Sequence, residues 1–307
     1  MEFRVTKHIE KLAQKSQGIK NQFYPSKYEE RLALGKEDPF MEDSKYRKSK
    51  GLIHKYPRRA LLCLTSQCAA YCRFCTRRRH ANMDEFDMNE IDVDQALRAV
   101  KANEKINEII FSGGDPFMKP ALLDYAISKF SKLKQIKIIR IHTRLPVSDP
   151  SRIDKSISDT LNKIKEQSLY IVVHFEHPHE INPETVQAIR ELKKSGAMIL
   201  AQSVFLKGIN DNYEILYQLF NGLAEIGVKP YMIGHCDLVR GAEHFIVPIE
   251  KEIKIMTQLR KTLSGIAFPK HVIDVPGGCG KVTVPQNFWK FDAKEFTDFN
   301  NKKIKMY

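Results

Sequence analysis

The chain has 307 residues, 42% of them hydrophobic, which is enough for a packed core and excludes a wholly disordered polymer. No apolar run approaches the ~18 residues that span a bilayer, and the polar opening stretch 1–17 lacks the apolar core of a secretion signal, so a cytoplasmic protein is expected. Fifty Lys and Arg against 37 Asp and Glu leave a net charge of +13; without an arginine–aromatic signature beside it, this reads as a Lys-rich surface, with neither nucleic acid nor membrane as partner.

Residues 1–50 are strongly charged and read as a mostly helical N-terminal extension. A regular rhythm starts at Ala60. Runs with β character are expected at 60–65, 108–112, 137–142, 169–175, 198–205, 230–234 and 270–274. Helical stretches fall between them at 88–103, 119–132, 151–166, 182–195, 211–226 and 247–263. Strands alternating with amphipathic helices imply βαβ units and a parallel sheet. Right-handed crossovers then leave a doubly wound sheet or a full or partial barrel. The tail 286–307 is polar, carries the only tryptophan, Trp289, and is expected at the surface. Unusual polar residues collect at the C-terminal ends of the strands: Thr65 to Cys75, Ser112-Gly-Gly-Asp-Pro116, His142-Thr-Arg144, His174, Gln202 and Cys236-Asp237. In parallel α/β folds that edge carries the site, so one cavity facing all these loops is expected.

Three of the six cysteines crowd together as Cys68-x3-Cys72-x2-Cys75, directly after the first strand. A disulfide scaffold belongs to small secreted chains, so the cluster reads as metal ligands or redox groups. Iron–sulfur cubanes take cysteine thiolates, normally four; three would leave one iron open to a small molecule. The competing readings are a structural zinc completed by Cys236, Cys279 or a histidine, and cysteines buried as small hydrophobes. Near the other end, Pro276-Gly-Gly-Cys-Gly-Lys281 follows the last strand. A lysine beyond such a loop can bind phosphate or, as a neutral amine, form a Schiff base; Val282 after Lys281 breaks the P-loop pattern.

The cysteine spacing, with Phe74 before its last member and the Gly-Gly-Asp-Pro segment one strand later, resembles the radical S-adenosylmethionine (SAM) superfamily. The resemblance narrows to the lysine 2,3-aminomutase family over about residues 50–285. It rests on His54-Lys-Tyr-Pro-Arg-Arg59, Cys75-Thr-Arg-Arg-Arg79, Phe111-Ser-Gly-Gly-Asp115, Gln202-Ser203, Leu206-Lys-Gly-Ile-Asn-Asp211, Cys236-Asp-Leu238, Gly241-Ala-Glu-His-Phe245 and Val275-Pro-Gly-Gly-Cys-Gly-Lys281 in this order. It implies a partial (β/α)6 TIM-like barrel over 51–285, flanked by the extension 1–50 and the tail 286–307. It further implies an isomerase that interconverts L-lysine and β-lysine with a [4Fe–4S] cluster, SAM and pyridoxal 5′-phosphate.

Residue by residue, the resemblance places the cluster on Cys68, Cys72 and Cys75, and the pyridoxal cofactor on Lys281. The cofactor's phosphate falls to Lys55, Tyr56 and Arg59. SAM falls to Gly113, Gly114, Asp115, His174 and Gln202. Arg77 would pair the substrate carboxylate, and Asp237 and Asp274 its ε-ammonium. Family members often have arginine where Lys55 stands, so a point charge replaces a bidentate fork there. The two aspartates favour lysine over glutamate, whose relatives carry other residues at this pair. A flavodoxin or ferredoxin is the implied electron donor. Larger lysine aminomutases bind zinc between subunits through a C-terminal cysteine cluster. No cysteine follows Cys279, so that site is expected to be missing, with a homodimer as the oligomer to consider. Compact length and Gly51-Leu-Ile-His-Lys-Tyr56 also resemble the branch that makes β-lysine for modification of elongation factor P, although that branch lacks the aspartate pair and the Gly-Gly-Cys-Gly-Lys form. A non-enzymatic iron–sulfur carrier is the reading from another class, and it would need no Lys281.

Overall fold

The computed structural model describes residues 1–30, 34–286, 295–297 and 302–305; Trp289 and the expectation attached to it lie outside these. One sheet of ten strands runs in sequence order, from β1 (Arg47–Ser49), β2 (Leu52–Tyr56) and β3 (Arg59–Thr65) to β4 (Glu108–Gly113), β5 (Ile138–Thr143), β6 (Ser168–His174), β7 (Met198–Val204), β8 (Lys229–Gly234), β9 (Lys270–Val275) and β10 (Gly280–Thr283). The strands from β3 to β9 pair in parallel, and β1, β2 and β10 join as antiparallel edges. All seven strands expected from the sequence are present.

Helices cover the outer face of the parallel strands. They are α3 (Glu90–Lys101), α4 (Pro120–Phe130), α5 (Leu145–Ser148), α6 (Lys155–Leu161), α7 (Pro183–Lys193), α8 (Tyr213–Glu225) and α9 (Ile249–Thr262), after α1 (Lys7–Ala13) and α2 (Gln17–Phe23) in the N-terminal extension. Their starts are written locally. The Asn89 side chain accepts from the Asp92 N–H while the Asp92 carboxylate accepts from Asn89 N–H, and Asn182 and Asn212 cap α7 and α8. The long helix expected over 151–166 is instead a single 3-10 turn and the short α6, because Asp154 accepts from the Ser156 and Ile157 N–H groups and starts a new helix there.

Period-two alternation divides each strand between two environments. On β3, Leu62 and Leu64 enter the helix-side core, while Arg59, Leu61, Cys63 and Thr65 line the cavity on the concave face. On β5 the core takes Ile139 and Ile141, and the cavity takes Arg140 and His142. The core behind the sheet is continuous and well packed, with Phe111 and Phe130 edge to face at 5.9 Å. A smaller cluster joins Ile9, Ala13, Ile19 and Phe23 of the first two helices to Ala70 of the cysteine loop, with Cys72 packed against it. Among the described residues no helix is long and apolar enough to cross a membrane.

Candidate active site

A cavity of about 790 Å³ opens on the concave face, at the C-terminal ends of the parallel strands. Cys68, Cys72 and Cys75 line it, and so does Lys281. Every other residue expected at the site lines it as well: Lys55, Tyr56, Arg59, Arg77, Gly113, Gly114, Asp115, His174, Gln202, Asp237 and Asp274. The sheet order explains much of this meeting of residues far apart in the chain, since most of them lie at or just beyond the C-terminal ends of neighbouring parallel strands, while Arg59 begins β3 with Tyr56 across from it on β2.

At one end, the cysteine loop is fixed by close backbone packing. A Cβ on Gly113 would stand 2.4 Å from the Thr65 carbonyl oxygen, and one on Gly114 2.2 Å from that of Gln67. Both glycines are therefore required by protein backbone. The Gly114 N–H donates to Thr65 at 2.5 Å and the Asp115 N–H to Gln67 at 2.8 Å. The Asp115 carboxylate accepts from Thr143 Oγ1 at 2.8 Å, from the Arg144 and Leu145 N–H groups at 2.7 and 2.9 Å, and from the Phe117 N–H at 3.1 Å. Asp115 thus joins the ends of β4 and β5, and its oxygens already carry a full set of donors.

Burial pushes all three clustered thiols up, Cys72 to about 11. Opposing it, Arg144 donates from Nη1 to Cys72 Sγ at 2.6 Å, and its guanidinium lies over the rings of Phe23 and Phe74 at 4.6 and 5.4 Å. Arg144 also pairs with Glu180 and is the neighbour the sequence reading left without a role. No group of three or more His, Cys, Asp or Glu among the described residues is arranged around a single ion. A cubane asks for less convergence, because each thiolate binds a different iron.

The opposite end is a cluster of charges. In the β9–β10 pairing Lys281 stands directly across from Asp274, and its Nζ reaches the Asp274 carboxylate. Lys55 Nζ approaches the same carboxylate at 3.5 Å and lies among the rings of Phe40, Tyr46 and Tyr56 at 5.4–5.9 Å. Arg59 stacks on Tyr56 at 3.9 Å. Burial, and then nearby Asp274, push the Asp237 carboxyl up to about 7 against the pull of Lys281 and His235.

Between the ends, His174 and Gln202 are register partners on β6 and β7. Burial, and then Arg144, lower His174 to about 4, so its imidazole is neutral at pH 7. His142 also lines the cavity, with a buried Nε2 that has no hydrogen-bond partner among the described residues. Arg77 does not face the cavity alone: Glu42 grips it through Nε and Nη2 at 2.8 and 2.7 Å. Glu42 was not legible in sequence, since it lies in the irregular charged stretch and nothing in its spacing points to the cysteine loop.

A family model for the radical SAM superfamily matches residues 62–220. The chain is 38% identical over 252 residues to the L-lysine 2,3-aminomutase of Buchnera aphidicola subsp. Baizongia pistaciae, an alignment covering 82% of this chain and 73% of that one. It is 37% identical over 272 residues to the L-lysine 2,3-aminomutase of Clostridium subterminale, covering 88% of this chain and 65% of the relative. A putative L-lysine 2,3-aminomutase of Aquifex aeolicus is 39% identical, and 65% of its length is spanned. The chain therefore spans a little under two thirds of several of the curated relatives it matches. A solved radical SAM methyltransferase from Sphaerobacter thermophilus superposes with a TM-score of 0.51 at 17% identity, over 73% of this chain and 68% of that one, a likeness of fold alone. The chain belongs to the radical SAM superfamily and, within it, to the lysine 2,3-aminomutase family.

Proposed function

We propose that this chain interconverts L-lysine and β-lysine by moving an amino group between C2 and C3. The cluster would sit on Cys68, Cys72 and Cys75, SAM beside it, and pyridoxal 5′-phosphate on Lys281. The observation that carries the reading is the single 790 Å³ cavity on which both the three thiols and the Lys281 amine open. That volume lies within the range of cavities that enclose cofactor-sized ligands. The donor chemistry fits each group: three thiols for iron, one amine for an aldehyde carbon, and the cations Lys55 and Arg59 with the Tyr56 hydroxyl for a phosphate dianion. When bound, cluster and SAM supply a carbon radical able to take hydrogen from C3, and the pyridine ring supplies a place to delocalise the unpaired electron.

The chain's own residues bind and orient. Arg77 offers a guanidinium to the substrate carboxylate. Asp274 pairs with the Lys55 and Lys281 ammonium groups, which supports its reading as a partner for a substrate cation. Burial pushes the Asp237 carboxyl up to about 7, and an arriving ε-ammonium favours its ionised form. His174 and Gln202 offer uncharged hydrogen-bonding groups to a nucleoside, while Asp115, Gly113 and Gly114 hold the loops that frame it. The helices α1 and α2 cover the cysteine loop with apolar side chains and exclude water from that end. A flavodoxin or ferredoxin as electron donor goes with the reading, and the net charge of +13 offers such an acidic partner electrostatic attraction. A cytoplasmic setting also goes with it, all six cysteines being free thiols.

The test is anaerobic reconstitution with iron, sulfide and pyridoxal phosphate, then incubation with SAM, dithionite and L-lysine. The expected product is 3,6-diaminohexanoate, with no corresponding product from L-glutamate. Formation of 5′-deoxyadenosine without β-lysine would overturn the assignment.

A further inference from the structure

The segment 35–46 runs as a strap across three loops of the site. Gly35 N–H donates to Glu243 at 2.8 Å, and Lys36 bridges Val239 in the loop after β8. Pro39 accepts from the Gly277 N–H at 3.2 Å, and the Tyr46 hydroxyl donates to the Gly278 carbonyl at 3.2 Å, so the strap also holds the hairpin that carries Lys281. On the cysteine side, Arg79 pairs with Asp38 and Asp43 at 3.1 and 2.6 Å. Asp38 in turn accepts from the Glu42 and Asp43 N–H groups at 3.0 and 2.8 Å. Met41, just before Glu42, is left-handed with φ of 57°. That conformation is unfavourable for a bulky side chain and persists only where the chain is fixed on both sides. Glu42 lies within this fixed strap, its N–H held by Asp38.

A guanidinium has two forks: side-on, through Nε and Nη2, and end-on, through Nη1 and Nη2. Glu42 takes the side-on fork of Arg77. Both side chains are largely buried, 11% exposed for Glu42 and 23% for Arg77, and both border the cavity. Among the described residues Nη1 has no hydrogen-bond partner, so the end-on fork stays free of the Glu42 bond. A second carboxylate is acceptable there electrostatically, since nine Lys and Arg against six Asp and Glu line the cavity.

We propose that Glu42 is the positioning residue of Arg77: it pins the side-on edge of the guanidinium and thereby presents the end-on fork to the carboxylate of the amino-acid substrate. The proposal deepens the reading above and rests on it for the class of substrate. Glu42 itself touches no substrate, and its effect is confined to ligands that carry a carboxylate.

The experiment uses the holoprotein with cluster and pyridoxal phosphate but no reductant. Binding of L-lysine and of 1,5-diaminopentane, which is lysine without its carboxylate, is followed by the absorbance of the pyridoxal chromophore. Glu42→Ala should weaken lysine by ~10–50-fold and leave the diamine within about twofold, the loss expected when a charge-assisted fork is no longer held in place. Glu42→Gln, which keeps an acceptor oxygen and the shape, should recover part of the lysine affinity. Glu42→Ala added to Arg77→Ala should weaken lysine no further than Arg77→Ala alone, the non-additivity of residues that act together. Equal losses for both ligands would mean a merely structural role and overturn the proposal. Tighter lysine binding by Glu42→Ala would also overturn it, showing Glu42 to be a competitor for Arg77. Should Glu42→Ala fail to fold, Glu42→Gln decides by the same two ligands. A wild-type protein that prefers another α-amino acid overturns the lysine assignment and not this one, because that amino acid and its decarboxylated amine then form the pair compared.

Discussion

The cysteine end of the cavity is held by backbone contacts with no spare room, whereas the lysine end is held by charges that can change partners. Around the cysteines, two glycines admit no Cβ, Asp115 has all its donors in place, and apolar helices press from outside. Around Lys281, one carboxylate is shared by two ammonium groups and the Lys281 side chain is 39% exposed; a Cβ on Gly277 would meet nothing within 4 Å, and close backbone packing is confined to Gly278, where a Cβ would stand 2.7 Å from the Phe40 carbonyl oxygen. On the proposed reading, the difference follows from what each end would have to do. Cluster ligands must stay fixed, since each iron–sulfur bond demands a set geometry. Groups that hold a cofactor and then a substrate must release one partner to take another.

The harshest way to break the comparison is at Lys281. Lys281→Ala removes the only amine expected to form the covalent link, so turnover should fall by roughly four orders of magnitude or more. Iron and sulfide content should stay at the wild-type level, because the cysteine end does not depend on Lys281. Loss of the cluster as well would show that the two ends are one cooperative unit.

Gly114→Ala attacks the other end. Its new methyl would overlap the Gln67 carbonyl, 2.2 Å away, and backbone cannot swing aside as a long side chain can. Overpacking of this kind costs about 1–3 kcal/mol, seen as a lower denaturation midpoint of the apoprotein. Reconstituted iron should drop, while pyridoxal phosphate binding should be nearly unchanged.

How much of this contrast the residues announced differs between the ends. Strands alternating with helical stretches foretold a parallel sheet, and the polar residues gathered at the strand ends foretold one functional edge. The cysteine triplet and Lys281 stood out because their chemistry is rare at such spacings. The antiparallel edges were harder: β1 and β10 are short, and a strand of three or four residues carries too few positions to show a period. Lys281 was read as lying beyond a loop, and it stands on β10, which is what sets it across from Asp274. Glu42 and Arg144 were the least legible. Their roles come from contacts across more than thirty and seventy residues, which no local pattern encodes.

A subtler test uses pH. Asp237 titrates near 7 in the folded chain against 3.8 as its ordinary value, so between these the folded protein binds the extra proton. Stability should therefore fall as pH rises from about 4 to 7 and level off above, and Asp237→Asn should remove that fall, a difference on the order of 3 kcal/mol. Lysine binding runs the other way, since only the ionised carboxylate attracts an ammonium. Affinity should rise roughly tenfold between pH 6 and 8 and become flat in Asp237→Asn. A wild-type profile without this rise would place the ammonium elsewhere.

The smallest effect is expected from Lys55→Arg, and it sharpens the comparison at its most adjustable point. Lys55 is a point charge among Phe40, Tyr46 and Tyr56, with Asp274 at 3.5 Å. Arginine can stack on the same rings and can meet a phosphate with two parallel hydrogen bonds, so affinity for pyridoxal phosphate should rise. It can equally fork onto Asp274 and hold that carboxylate away from the substrate, so the Michaelis constant for lysine should rise with it. Each shift should stay within about threefold, since a partly solvated charge exchanges one good partner for another. If instead the substitution strips the cofactor altogether, the lysine end is as tightly fitted as the cysteine end, and the contrast between a locked and an adjustable half of the cavity is lost.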